Sequence, residues 1–221
     1  MRFQFLDPGP LVDRELTLVP PTVHYLDEVL NSCRHPLTVR DAPQEAAMTR
    51  QRLLDFCHVA PGGRQSADLS KGWVPAYHFW MRLDPPLLTQ GEVTPFAPGA
   101  SDPSGTPSTS PSAHPITMAG GIGVRIGTTR EIELYSGNIG YHVYPPARGH
   151  HYAERSVRLV LSLIKRHGLS HVWITTNPDN LASRRTCERL GATLVDTVTV
   201  PKNHPFRQRG ETTKCRYLLR V

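Results

Sequence analysis

The chain has 221 residues, a length that permits one packed domain without disulfides or metals to hold it together. Its four cysteines form no Cys-x-x-Cys pair, which argues against a structural zinc site or a disulfide framework, and no apolar run approaches the ~18 residues of a membrane helix. The formal charge of +6 suits a nucleic acid or a phosphate-bearing small molecule, but basic residues form no dense run and no aromatic stripe interleaves with them. These absences argue against nucleic acid as the partner.

The first ten residues, MRFQFLDPGP, contain no long apolar stretch and no small-residue cleavage site. This beginning does not resemble a secretory signal, so we expect a cytoplasmic protein with reduced thiols and no membrane partner. We also expect residues 1–221 to form a single domain.

In the first half, a strand is predicted over residues 15–19, followed by helices over 23–33 and 42–59, whose apolar side chains recur at helical spacing. Residues 75–83 and 116–126 are rich in aromatic or β-branched side chains and are predicted to be paired strands. Between them, residues 84–115 hold eight prolines among small and polar residues, which predicts a disordered insertion.

In the second half, strands and helices alternate. The predicted elements are a strand over 137–144 that stops at Pro145, a helix over 151–167 that stops at Gly168, a strand over His171–Thr176, a helix over 180–190 that stops at Gly191, and strands over 193–200 and 214–221.

A turn at residues 148–153 leads directly from a predicted strand into a predicted helix. The first N–H groups of a helix have no partners within it and lie at the positive end of its dipole, so they can bind a pyrophosphate. A purely structural capping role is the competing interpretation of this turn.

At this turn the sequence resembles the GNAT acetyltransferases, whose signature after the fourth strand is Arg or Gln, two residues, Gly, one residue, then Gly or Ala. Arg148 and Ala153 match that signature, and His151 replaces its central glycine. Residues 177–183 (NPDNLAS) and 187–191 (CERLG) also resemble the helix start and helix end of many members, and residues 138–141 resemble the fourth strand. The specific resemblance covers residues 121–191.

The resemblance implies an α+β (α/β) GNAT fold, with a mixed central sheet of about six or seven strands, splayed between its fourth and fifth strands and flanked by about four helices. It implies acetyl-CoA as the cosubstrate, without a metal, and a pantetheine arm lying in the gap like an extra strand. A backbone N–H near Val143 would polarise the acyl carbonyl. The implied cofactor-binding residues are Tyr141, Val143, Tyr144, Arg148, Gly149, His150, His151, Tyr152, Ala153, Asn177, Asn180 and Ser183.

At His151, the side chain would crowd the phosphates, at small cost if the residue is already helical. Protonated His150 or His151 would add positive charge, so we hypothesise weaker CoA affinity above neutral pH. Exposed turn histidines, or a metal pair, are the other interpretations.

Two expected catalytic positions also depart from the family pattern. Asn138 stands where many relatives carry a glutamate as general base, so Glu133, His142 or a water chain could substitute. Cys187 aligns with a frequent tyrosine that protonates the departing thiolate, and Cys187 itself, Ser183 or Tyr217 could supply that proton. Structural roles for all of these residues stay open.

The sequence therefore favours an acetyl-CoA-dependent N-acetyltransferase that transfers the acetyl group directly to an amine of a small molecule or peptide, as a monomer or homodimer. The changed acid and base positions keep a second interpretation open, a catalytically silent acyl-CoA-binding module used for sensing or assembly. A basic nucleic-acid binder is the third.

Overall fold

The computed structural model describes residues 3–68, 70, 72–89 and 114–221. Its strands are β1 (Val12–Asp13), β2 (Leu16–Val19), β3 (Arg64–Gln65), β4 (Ala76–Thr89), β5 (His114–Arg125), β6 (Ile139–Val143), β7 (His171–Thr176), β8 (Thr193–Thr199) and β9 (Thr213–Arg220). Its α-helices are α1 (Leu26–Arg34), α2 (Pro36–Asp41), α3 (Pro43–Ala46), α4 (Arg50–Val59), α5 (Tyr152–Arg166), α6 (Leu181–Arg189) and α7 (Pro205–Gln208). Among these helices, none has the length and hydropathy needed to cross a membrane.

The strands form one mixed sheet in the order β1-β2-β4-β5-β6-β7-β9-β8, with β3 paired to β4. The antiparallel β4–β5 pair extends into the range predicted to be an insertion, because Leu87 faces Ile116 and Leu88 faces Pro115 across an irregular stretch after Arg82. Residues 84–89 and 114–115 are therefore strand, which corrects the edges of that prediction. Residues 90–113, the rest of the predicted insertion, lie outside the described residues.

The single helix predicted over residues 42–59 is wrong, because the segment divides into α3 and α4. Thr49 has an extended backbone and its side chain accepts a hydrogen bond from the Arg52 amide at 3.2 Å, which starts a new helix. The preceding α2 was not predicted, since a helix of six residues is too short to show clear apolar periodicity.

Helices cover both faces of the sheet. On one face, α5 contributes Val157, Val160 and Leu163 to a core that includes strand residues such as Phe79 and Ile122. On the other face, the buried residues of α1 pack with residues from α4 and the sheet in a second cluster, namely Leu26, Val29, Leu30, Cys33, Leu53, Trp80, Met118 and Tyr144. Successive side chains of a strand point to opposite faces, so β6 presents alternate residues to each helical layer.

The sheet is interrupted between its two middle strands. The parallel pair β6 and β7 shares one register position, Ile139 with Ile174. Beyond that position the two strands diverge, and Gly140 and Tyr141 stand across a gap from Thr175 and Thr176. The predicted splay between these strands is confirmed.

Candidate active site

Two cavities open at the gap between β6 and β7. The smaller, of about 240 Å³, lies between the diverging strands and is lined by Ile139, Gly140, Tyr141, Ile174, Thr175, Thr176, Asn177, Asn180, Ser183, Glu211 and Lys214. The larger, of about 550 Å³, extends to the start of α5 and to the α2–α3 segment, and is lined by Ala42, Gln44, Glu45, Tyr141, His142, Val143, Ala147, Arg148, Gly149, His151, Tyr152, Ala153, Asn180, Ala182, Ser183, Arg185, Thr186 and Arg189. Tyr141, Asn180 and Ser183 line both, so they mark the junction of the two cavities.

One end of the larger cavity is the turn that starts α5. Gly149 has φ of +89°, a value that glycine adopts at little cost, and His151 is the N-cap with φ of +58°. The His151 side chain makes no capping hydrogen bond, so the first amides of α5 are not satisfied by their own cap residue. Such a helix start is suited to an anion.

His151 adopts the left-handed helical region rather than the right-handed conformation considered from the sequence. This conformation costs a residue with a Cβ roughly 1–2 kcal/mol. Glycine, which the family signature has at this position, adopts a positive φ at little cost, whereas histidine adopts it with strain. Its Nδ1 lies 3.7 Å from the Glu154 Oε2.

Arginines supply positive charge around this end. The Arg148 Nε donates to the Val143 carbonyl at 3.4 Å, which holds the guanidinium beside β6. The Arg189 Nε, by contrast, is paired with the Glu154 Oε2 at 2.9 Å, and Glu154 also pairs with Arg158. Arg148 is therefore the better-placed cation for a phosphate, since Arg189 is already neutralised.

Asn138 closes the gap at its narrow end. Its side chain is buried and uses both ends of the amide: Nδ2 donates to the carbonyls of Arg125 (3.1 Å) and Gly127 (2.9 Å), and Oδ1 accepts from the Trp173 amide (2.9 Å). Its backbone N–H donates to the Trp173 carbonyl at 2.7 Å. A glutamate could not supply these two donors, so the residue at this position fastens β5, β6 and β7 together.

The comparisons with known proteins agree with this geometry. A family model described as an acetyltransferase (GNAT) domain matches residues 112–193, which include β6, the α5 turn, β7 and α6. The match covers less than half of the chain and is consistent with a GNAT superfamily member. A search of curated protein sequences finds no match.

Solved structures share the GNAT fold across nearly the whole chain. The microcin C7 self immunity acetyltransferase MccE, solved with acetyl-CoA and AMP, has a TM-score of 0.58 at 13% identity, covering 96% of this chain and 94% of that chain. The ribosomal L7/L12 alpha-N-protein acetyltransferase RimL, solved with CoA, has a TM-score of 0.58 at 14% identity, covering 96% and 98%. A GNAT acetyltransferase from Bacillus anthracis has a TM-score of 0.57 at 14% identity, with the same coverage as RimL.

In this GNAT fold, ten of the twelve predicted cofactor-binding residues line one or both cavities, and Tyr144 and His150 do not. Tyr144 is buried on the α1 side of the sheet, where its hydroxyl accepts from the Cys33 thiol at 3.5 Å, and burial raises the pKa of Tyr144. His150 is exposed and stacks on the Tyr152 ring at 5.5 Å. Tyr144 is thus turned into the layer of α1, and His150 is turned toward solvent, so neither side chain lines a cavity.

Three of the predicted catalytic residues lie outside the lining of both cavities. Cys187 is fully buried, and burial raises the pKa of its thiol to about 11. Tyr217 is also buried, and its hydroxyl accepts from the Arg184 Nε at 3.2 Å. Glu133 belongs to a π-helical turn, Ile132–Ser136, whose Glu133 carbonyl accepts from Arg216 at 3.1 Å.

The other two predicted catalytic residues, His142 and Ser183, line the larger cavity. The His142 ring lies above Gly121, where a Cβ would stand 2.9 Å from His142 Cε1, so a larger residue there would displace the ring. The ring opens to the cavity but has protein atoms around it, and this desolvation lowers the pKa of His142, an effect that the Glu45 carboxylate opposes.

Sequence reasoning missed several lining residues. Glu45 reaches the larger cavity from α3, and Glu211 and Lys214 reach the smaller one from the loop and strand after α7. Lys214 is 7% exposed, and its Nζ donates to Asn177 Oδ1 at 2.8 Å and pairs with Glu211. The sequence predicted Lys214 at the start of a strand. Its contact with Asn177 could not be predicted, because the two residues are distant in the chain and meet only in the folded structure.

Proposed function

We propose that this protein is an acetyl-CoA-dependent N-acetyltransferase that transfers the acetyl group directly to an amine of a small molecule or peptide. The observation that carries this proposal is the continuous cavity from the α5 turn to the gap between β6 and β7. One end has the character of an anion site, and the other ends at a strand edge to which an amide-bearing chain can bind. MccE was solved with acetyl-CoA and RimL with CoA, which supports this choice of ligand.

At the anion end, Arg148, Gly149 and the first residues of α5 would hold the pyrophosphate of CoA. The helix dipole and the Arg148 guanidinium both favour negative charge, and Gly149 has no Cβ to keep phosphate oxygens away from the backbone. The His151 side chain, which lines the cavity, narrows this approach. The pantetheine arm would then extend along Tyr141 to Val143, on the β6 edge that faces the gap.

We further propose His142 as the general base. An amine acceptor arrives as an ammonium ion and must lose a proton before its nitrogen can attack the thioester carbon. His142 lines the cavity, and desolvation lowers its pKa, so the ring is neutral at pH 7 and can accept that proton. Glu45, on the same wall, would attract the ammonium and stabilise the imidazolium that forms.

A second function, a silent acyl-CoA-binding module, is favoured by one specific observation. Asn138 occupies the position of the expected carboxylate base, and its hydrogen bonds to β5 and β7 commit it to holding the strands together. A protein that only binds acyl-CoA would retain the α5 turn and the gap without needing a base or an acid.

Turnover distinguishes the two functions. The purified chain would be mixed with acetyl-CoA and a panel of polyamines, amino acid amides and peptides with free amino termini, while free CoA thiol and acetylated amine are both quantified. We expect the two products to form in equal amounts with at least one amine. Binding of CoA in calorimetry without acetylation across the panel would favour the silent module, and absence of binding at saturating CoA would overturn both.

A further inference from the structure

Two hydroxyl groups meet at the junction of the two cavities. The Tyr141 hydroxyl lies 3.0 Å from Ser183 Oγ, and it also lies 3.4 Å from the Ser183 carbonyl. Tyr141 comes from β6 and Ser183 from the first turn of α6, so the pair spans the gap from the strand to the helix. Both residues line the smaller and the larger cavity.

The proposed reaction needs a proton at this junction. The amine nitrogen attacks the acetyl carbon, the carbon–sulfur bond breaks with its electron pair going to sulfur, and the departing thiolate takes up a proton to leave as the free thiol of CoA. The amine loses one proton as the amide forms, so the overall reaction releases no proton beyond the one carried by the ammonium. A donor for the sulfur must therefore lie where the pantetheine arm ends, on the side away from the attacking amine.

Strand alternation provides this separation of acid and base. Tyr141 points toward α6, as its contact with Ser183 shows, and the next residue, His142, points toward the opposite helical layer, where its ring meets Tyr144 at 5.3 Å. A group bound along β6 between them has a base on one face and a hydroxyl on the other. The attacking nitrogen and the departing sulfur are different substituents of the tetrahedral carbon and point in different directions. The base can therefore serve the nitrogen while the hydroxyl serves the sulfur.

The other candidate donors lie behind this pair. Cys187, one helical turn after Ser183, is fully buried and interacts with the Tyr141 side chain from beneath. Tyr217 has its hydroxyl on Arg184 and lies outside the lining of both cavities. Cys187 of α6 stands where many relatives carry a tyrosine. In this chain the phenol hydroxyl at the junction comes from Tyr141 of β6 instead.

We propose that Tyr141 is the catalytic residue that donates the proton to the departing CoA thiolate, and that the phenolate then regains a proton from solvent through the Ser183 hydroxyl. This inference rests on the proposed acetyltransferase function. Burial raises the pKa of Tyr141, and the hydrogen bond with Ser183 opposes this effect because it stabilises the phenolate. The Ser183 amide is anchored to the Asn180 side chain at 3.1 Å, which fixes the position of the second hydroxyl.

The test is Tyr141→Phe, which removes the hydroxyl and retains the ring. With the best amine from the panel, we expect kcat to fall about 100-fold, within the range for loss of a general acid, while the KM for acetyl-CoA and the calorimetric Kd of CoA change less than about threefold. Ser183→Ala should lower kcat by about tenfold with a similar KM. Tyr135→Phe, which removes a phenol hydroxyl outside both cavities, should leave kcat unchanged.

Each alternative result has a distinct meaning. If Tyr141→Phe has the kcat of the unmodified protein, the proposal is wrong although the acetyltransferase function stands. A loss of kcat in Cys187→Ala or Tyr217→Phe that exceeds the loss in Tyr141→Phe would assign the donor to one of those residues instead. If the unmodified protein acetylates no amine, the proposed function fails and Tyr141 has no thiolate to protonate.

Discussion

The two ends of the larger cavity are built in different ways. The anion end comes from one continuous segment, residues 148–153, where a turn and a helix start follow each other in the chain. The other end joins His142 of β6 to Glu45 of α3, residues that are brought together only by the packing of α2 and α3 over the sheet. A local site can be predicted from sequence, whereas a site assembled from distant segments depends on the fold.

If the ends have separate roles, a change at the acceptor end should affect the chemical step and leave cofactor binding intact. His142→Gln should lower kcat by about 10³-fold, or about 4 kcal/mol, with little change in the Kd of CoA. Because the pKa of His142 is lowered, activity of the unmodified protein should rise with pH through a value below the usual ~6.5, as the neutral base forms, and this rise should be absent in the variant.

Steady-state kinetics from about pH 5 to about pH 8 would measure this change. His24→Gln, on an exposed surface, is the control. An unchanged kcat in His142→Gln would remove the proposed base and with it the chemical distinction between the two ends.

The side chain of Asn138 holds together the strands on which both ends of the cavity depend. Removing its hydrogen bonds should therefore lower the stability of the whole domain. Asn138→Asp removes two buried donors and places a carboxylate beside the Arg125 and Gly127 carbonyls. We expect the free energy of unfolding to fall by about 3 kcal/mol. Urea denaturation would measure the loss, with the exposed Asn203→Asp as the control. A stability equal to that of the unmodified protein would mean that other contacts hold β5 and β6 to β7.

A change at the anion end should have the opposite signature. Arg148→Met should weaken CoA binding about tenfold, or about 1.4 kcal/mol, because one charge-assisted contact to phosphate is lost, while kcat at saturating acetyl-CoA is retained. Calorimetry would give the Kd, and Arg50→Met, which breaks a surface pair with Asp27, should leave it unchanged. A fall in kcat with unchanged affinity would reverse the roles assigned to the two ends.

The smallest expected effect concerns the backbone at His151. Replacing it with glycine relieves the left-handed strain, and we expect about 1 kcal/mol of added stability, offset in part by the greater freedom of glycine in the unfolded chain. Thermal unfolding would measure this change. A stability of His151→Gly equal to or below that of the unmodified protein would show that the left-handed conformation carries no such strain.

The longer elements of the second half could be predicted within about two residues because their signals are strong, whereas the four-residue α7 and the π-helical turn Ile132–Ser136 were not predicted. The helix α5 has a continuous apolar stripe and ends before Gly168, which has φ of +82°, and β7 is a short, largely apolar run. The α2–α3 region could not be predicted in this way. Helices of four to six residues carry too little periodicity, and their turns are set by contacts with α1 and the sheet.

The same reasoning explains the errors in the site. The resemblance correctly located the segment that lines the gap but could not assign side chains to faces, so Tyr144 was grouped with Tyr141 although it lies in the α1 layer. Because Asn138 stands where many relatives carry a glutamate, the sequence predicted that the general base had been lost from this position. The hydrogen bonds show instead that an amide is needed there, since a carboxylate has no N–H to donate.

The separation of β6 from β7 also affects how the protein can meet other chains. An unpaired strand edge on a surface invites a second protein to add a strand, and natural proteins usually cover or shorten such edges. Here the stretch of β6 after Ile139, which does not pair with β7, lies in the middle of the sheet between the two helical layers. The fold can thus keep a backbone edge open to a ligand with less risk of self-association than the same edge would bring at the rim of the sheet.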